Sequence, residues 1–89
     1  MRHYNIRVSG KVQGVWFRKF IQMKAQELDI KGLVKNEADG SVYIEAQGTD
    51  AAFKLFIPFC NQGPEFAKVE HLSIEEGEIV SFQEFIIQH

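Results

Sequence analysis

The 89-residue sequence predicts an α+β sandwich of order strand, helix, strand, strand, helix, strand, with a further C-terminal strand. Both helices should pack on one face of an antiparallel sheet. Three observations carry this. Apolar residues alternate through the first ten positions, the period becomes helical at Phe17, and Asp39-Gly40 separates two further alternating runs. The arrangement is the split βαβ of ferredoxin-like sandwiches, and a fold of this kind names no function.

Tyr4, Ile6 and Val8 alternate with His3, Asn5, Arg7 and Ser9, the period of a half-buried strand. A loop from Gly10 to Trp16 follows. Phe17, Phe20, Ile21, Ala25 and Leu28 then share one helical face, with Lys19, Gln22, Gln26 and Glu27 outside it. Gly32 to Asn36 and Ser41 to Gln47 read as strands, and Asp39-Gly40 between them is a strong hairpin signal because glycine tolerates positive φ. Thr49-Asp50 is a capping signal, and Phe53, Phe56, Ile57 and Cys60 recur at helical spacing up to Gly63-Pro64. Pro58 lies inside that pattern and predicts a kink or an irregular last turn. Val69 to Glu75 and Phe82 to Ile87 read as the last strands, joined by the acidic run around Glu75, a solvated turn. The alternation slips between Val69 and Leu72 and again between Phe82 and Phe85, which predicts a bulge or a displaced boundary in each.

The length suits one domain spanning residues 1–89, and 45% apolar content with eight Phe suits one packed core. A net charge of −2 and a pI near 5.9 provide no long-range attraction to nucleic acid or an anionic membrane, so any bound anion must be held by local geometry. A small ligand is therefore expected, with no nucleic-acid or membrane partner and a monomeric state. Cys60 is the only cysteine, which excludes an internal disulfide, and its place in an apolar helical pattern predicts a buried structural role. With no apolar leader and no span-length segment, the expected location is cytoplasmic. His3, His71 and His89 fall on separate elements without ligand spacing, so no metal site and no cofactor is expected.

Residues 10–20, GKVQGVWFRKF, are a glycine-punctuated loop with Arg18 at the start of the following helix. Free N–H groups at a helix N-terminus and a guanidinium fork both favour a compact anion, although an ordinary strand-to-helix connection has the same spacing. Lys11 and Lys19 either add positive potential or are solvated. The right-handed crossover makes the first two strands parallel with the third between them. That brings the loop and Asn36 to one edge of the sheet, on the order of 10 Å apart for two strand spacings. An RNA-binding sheet, which should expose aromatics with basic neighbours, is disfavoured, since the third strand exposes Tyr43 beside Glu45 and the net charge is negative.

GKVQGVWFRKF resembles the first signature of the acylphosphatase family, and GLVKNEADGSV, residues 32–42, resembles the second. Gly63-Pro64 and Ala67 to Val69 match the same pattern, so the resemblance covers essentially the whole chain. It implies that Arg18 binds a phosphoryl group together with backbone N–H groups of Gln13, Gly14, Val15, Trp16 and Phe17. It further implies that Asn36 orients the attacking water. The implied reaction is hydrolysis of an acyl phosphate to a carboxylate and inorganic phosphate, without metal or covalent phosphoenzyme. The residue types suit it: the guanidinium is a permanent bidentate cation, and a neutral amide both donates and accepts without titrating. Activity should then vary only weakly with pH near neutrality. Trp16 either flanks the acyl group or covers the edge of the core, and Asp29-Ile30 stands where the family has a glycine-leucine pair. A phosphate-binding or partner-docking domain is the rival reading, and Asn36 argues against it because a binder has no use for a water-holding amide.

Overall fold

The computed structural model describes residues 1–89. The chain forms β1 (Arg2–Lys11), α1 (Phe17–Glu27), β2 (Lys31–Asn36), β3 (Val42–Gly48), α2 (Asp50–Gln62), β4 (Lys68–Glu76) and β5 (Phe85–Gln88). The sheet order is β4-β1-β3-β2-β5. β1, β2, β3 and β4 pair antiparallel, β2 with β3 as expected, but the sheet is mixed rather than antiparallel throughout, because the last strand is carried to the far edge and pairs parallel to β2. Alternate residues of the central strands, among them Ile6, Val8, Val34 and Ile44, meet Phe17, Ile21 and Ala25 of α1 and Phe53, Phe56 and Cys60 of α2 in one buried cluster. Phe20 is only partly buried, and its ring meets Phe59 edge-on at 6.2 Å.

The two slips in alternation have separate causes. On β4 the register shifts between Ser9 opposite His71 and Gly10 opposite Val69, leaving Glu70 as the extra residue of a bulge. Gly10 belongs there because a Cβ on it would lie 2.2 Å from the Lys68 carbonyl oxygen. At the C-terminus the strand begins only at Phe85, and Phe82 lies in the connection before it. That connection must travel from one edge of the sheet to the other, and it crosses the face opposite the helices. Phe82 stacks on the His3 ring with centroids 5.9 Å apart, and Val80 pairs through both its backbone groups with the Gln47 amide at 2.7 and 2.9 Å. His3, placed by its alternation on a polar face, is consequently only 4% exposed.

The caps follow the residue types. Thr49 Oγ1 accepts from the Ala52 N–H at 3.1 Å to start α2. Asp29 takes φ 57 after α1, the left-handed place that glycine commonly fills, while the Ile30 N–H closes the helix on the Ala25 carbonyl at 2.8 Å. α2 does not end early at Pro58 but continues through it to Gln62. Buried Phe56 and Cys60 anchor the final turns, and the Gly63 N–H bonds the Phe59 carbonyl at 2.8 Å.

Pro58 is exposed and carries only its conformational cost. A proline inside a helix is about 3 kcal/mol less favourable than alanine. About 1 kcal/mol of that is offset by its stiffening of the unfolded chain. Pro58→Ala should therefore raise stability by about 2 kcal/mol, read as a higher urea midpoint at constant slope. A midpoint at or below the parent's would contradict this account of α2.

Candidate active site

The two helices begin differently. α2 has a side-chain cap and Asp50 in its first turn. α1 follows Trp16, which is left-handed at φ 67 and makes no capping hydrogen bond, and its first turn has no acidic residue but carries Arg18 and Lys19. A missing cap costs about 0.5–2 kcal/mol. A cation at the positive end of the helix dipole costs roughly 0.3–1 kcal/mol more. Both costs reverse when an anion sits at the helix start. The donors for one are present: no backbone N–H from Gln13 to Lys19 is given to a main-chain acceptor.

A loop that withholds its main-chain donors has to be held by something else. Val15 and Phe17 are buried in the core and anchor its far end. Its near end is held by the Gln13 side chain, whose Nε2 donates to the Glu37 carbonyl at 2.8 Å and the Ser41 carbonyl at 2.9 Å. Those two carbonyls flank the β2–β3 turn immediately after Asn36. The turn is itself fixed: the Glu37 N–H bonds the Ser41 carbonyl at 2.8 Å, and the Ser41 hydroxyl and N–H donate to Asp39 Oδ1 at 2.6 and 2.9 Å. Those bonds, from the hydroxyl first and then the N–H, hold the Asp39 carboxyl below the usual carboxylate range. Gly14, at φ 73, has nothing within 4 Å of where a Cβ would stand, so the loop presents open backbone there.

Sheet register then assembles the cleft. Val8 of β1 and Asn36 of β2 both pair with Val42, one on each side of it. Because β5 is parallel to β2 and Lys35 pairs with Gln88, the next residue, His89, arrives at the same edge as Asn36. The C-terminal ends of three parallel strands and the N-terminus of α1 thus border a cleft of about 430 Å³ lined by Val12, Gly14, Trp16, Phe17, Arg18, Lys19, Asn36, Ile87 and His89.

Of the residues singled out from the sequence, Gly14, Trp16, Phe17, Arg18 and Asn36 line this cleft together. Gln13 and Val15 do not. The side chain of the first is spent on the hairpin and that of the second on the core, which leaves only their main-chain N–H groups to face a ligand. Lys19 is at the cleft and Lys11 is not. Ile87 and His89 were not anticipated, and His89 is close: its Nδ1 lies 3.2 Å from Arg18 Nη1, with the guanidinium as donor. Knowing the direction of the last strand would have found both. Cys60 is fully buried in the core and does not line the cleft, and burial pushes its thiol up, out of reach of nucleophilic chemistry.

An α+β sandwich that brings an uncapped helix start, loop residues whose amides lack a main-chain acceptor and an arginine to one small cleft carries a donor set suited to a compact oxyanion such as a phosphoryl group. Similarity to known proteins narrows the class. The acylphosphatase family model matches residues 4–87. The acylphosphatase of Bacillus licheniformis is 41% identical over 90 residues, covering both chains completely, and that of Oceanobacillus iheyensis is 48% identical over 77 residues, 85% of each. The crystal structure of acylphosphatase from Bacillus subtilis superposes with a TM-score of 0.97 at 39% identity, again over both whole chains. The chain belongs to the acylphosphatase family.

The Gln13 staple is testable apart from catalysis. Gln13→Ala removes both bonds to the hairpin, a loss of about 1–3 kcal/mol of stability. It should leave the circular dichroism spectrum intact and weaken inorganic phosphate binding at least tenfold by calorimetry, since misplacing binding groups by about 1 Å costs on that order or more. An unchanged phosphate Kd would show that the loop holds its shape without the staple.

Proposed function

We propose that the protein is a metal-independent acylphosphatase that hydrolyses the carboxyl-phosphate anhydride of small acyl phosphates. The observation that carries this is the convergence of Arg18, the unpaired loop amides and Asn36 on one cleft. Its relatives bear the name of the same activity. We read it as a single-domain cytoplasmic monomer, in keeping with one buried cysteine and no helix long and apolar enough to cross a membrane.

Phosphoryl transfer to water spreads charge over three equatorial oxygens, so most of the catalysis is positioning and electrostatic stabilisation. Arg18 and the N–H groups from Gln13 to Phe17 receive those oxygens, and the positive end of α1 adds its field. Asn36, across the cleft, accepts from the attacking water and fixes its line of approach. As the water oxygen bonds phosphorus, the bridging P–O bond breaks and its electron pair leaves on the acyl carboxylate. One water proton stays on phosphate and the other passes to solvent. A carboxylate leaving group is weakly basic, so no general acid is required, and the neutral amide of Asn36 suffices in place of a strong base. The His89 ring, hydrogen-bonded to Arg18, steadies the guanidinium before substrate arrives.

Purified protein with benzoyl phosphate and excess EDTA tests the reading. The parent should hydrolyse it. Arg18→Gln and Asn36→Ala should each lose about 100-fold to 1,000-fold in kcat, the scale of removing one anion-stabilising group. Turnover that survives Arg18→Gln, or is abolished in the parent by EDTA, would sink the mechanism.

A further inference from the structure

Trp16 is the one residue of the loop that the phosphoryl chemistry leaves unexplained. Its side chain is 78% exposed, which removes the option of a cover for the core. It enters no aromatic pair, stacks under no cation and makes no hydrogen bond to cap α1. Its backbone is left-handed, at φ 67, where glycine or asparagine is at ease and a bulky residue is strained. Strain, an uncapped helix and a large apolar ring in water each oppose stability, and the indole itself makes no aromatic, cation–π or hydrogen-bond contact in return.

The surroundings of the ring supply a use. Trp16 lies between Gly14 and Arg18 on the wall of a cleft of about 430 Å³, of which a four-atom phosphoryl group fills only a part. The remaining lining includes apolar Val12 and Ile87, and no Asp or Glu side chain lines it. An acyl phosphate held at its phosphoryl end by the loop must lodge its acyl end in the remaining space, beside the indole. Resting on the proposed acylphosphatase reading, we propose that the Trp16 indole is the acyl subsite, and that it selects acyl phosphates whose acyl group has a flat apolar face, an aromatic acyl group above a short alkyl one. Stacking on an exposed indole gains affinity without any hydrogen bond, by shared apolar burial and ring electrostatics.

Trp16 is the only tryptophan of the chain, so its emission reports on this subsite alone. The non-hydrolysable probes benzoylphosphonate and acetylphosphonate share the anion and differ in the acyl group. For the parent, benzoylphosphonate should bind at least tenfold tighter and should alter the tryptophan emission, whereas acetylphosphonate should leave it nearly unchanged. Trp16→Gly removes the indole at a backbone angle glycine prefers, and should bring the two affinities within about twofold, with roughly the base-stacking range lost. Trp16→Phe should keep most of the preference. In turnover, the ratio of kcat/KM for benzoyl over acetyl phosphate should fall about tenfold in Trp16→Gly, chiefly through KM. Equal phosphonate affinities in the parent, a preference that survives in Trp16→Gly, or no phosphonate binding at all would each overturn the proposal. A preserved phosphonate preference without hydrolysis would instead overturn the acylphosphatase reading and leave the acyl subsite standing.

Discussion

One side-chain amide sets the geometry on which the site depends. Gln13 Nε2 bridges the loop before α1 to the two carbonyls that flank the β2–β3 turn, at 2.8 and 2.9 Å. A loop that gathers an oxyanion must leave its own N–H groups unpaired, and unpaired main chain is normally free to move. Holding the loop by a side chain from outside resolves the conflict. The donors stay free, and the loop is tied to the turn that follows Asn36 by a hydrogen-bonded unit that also includes Asp39 and Ser41.

The fold pays local stability into the site and recovers it elsewhere. α1 lacks the cap and the first-turn acid that α2 possesses, and a strained Trp16 introduces it. The core beneath compensates: Phe17, the first residue of α1, is buried beside Ile21 and Phe56, so the helix start is fixed by packing rather than by capping. The parallel course of β5 is the other contribution of topology. It follows from a connection that crosses the open face of the sheet over His3 and Gln47. The same crossing delivers His89 to Arg18.

Much of this was legible in the sequence. The periods of Tyr4 to Val8 and of Phe17 to Leu28, the Asp39-Gly40 turn and the Thr49 cap each depend on local chemistry, and each placed its element within a residue or two. That Arg18 and Asn36 border one cleft followed from the handedness of one crossover. What escaped depends on partners distant in sequence. Phe82 looks like a strand residue until His3 is known to lie beneath it, and His89 looks like a stray histidine until β5 is known to run parallel to β2. Gln13 was read for its main-chain N–H, because nothing local announces that its side chain would reach two carbonyls more than twenty residues away. Pro58 misled in the opposite sense, since buried neighbours carried α2 through a residue that usually ends a helix.

The proposed reaction has water, aligned by Asn36, attacking phosphorus while Arg18 and the loop amides hold the phosphoryl oxygens. Hydrolysis of benzoyl phosphate in ¹⁸O-water, with mass analysis of both products after a single turnover, tests that claim most directly. The account predicts one ¹⁸O atom in inorganic phosphate and none in benzoate. Label in the benzoate would mean attack at the carbonyl carbon, and would contradict the assignment of the cleft to phosphoryl chemistry.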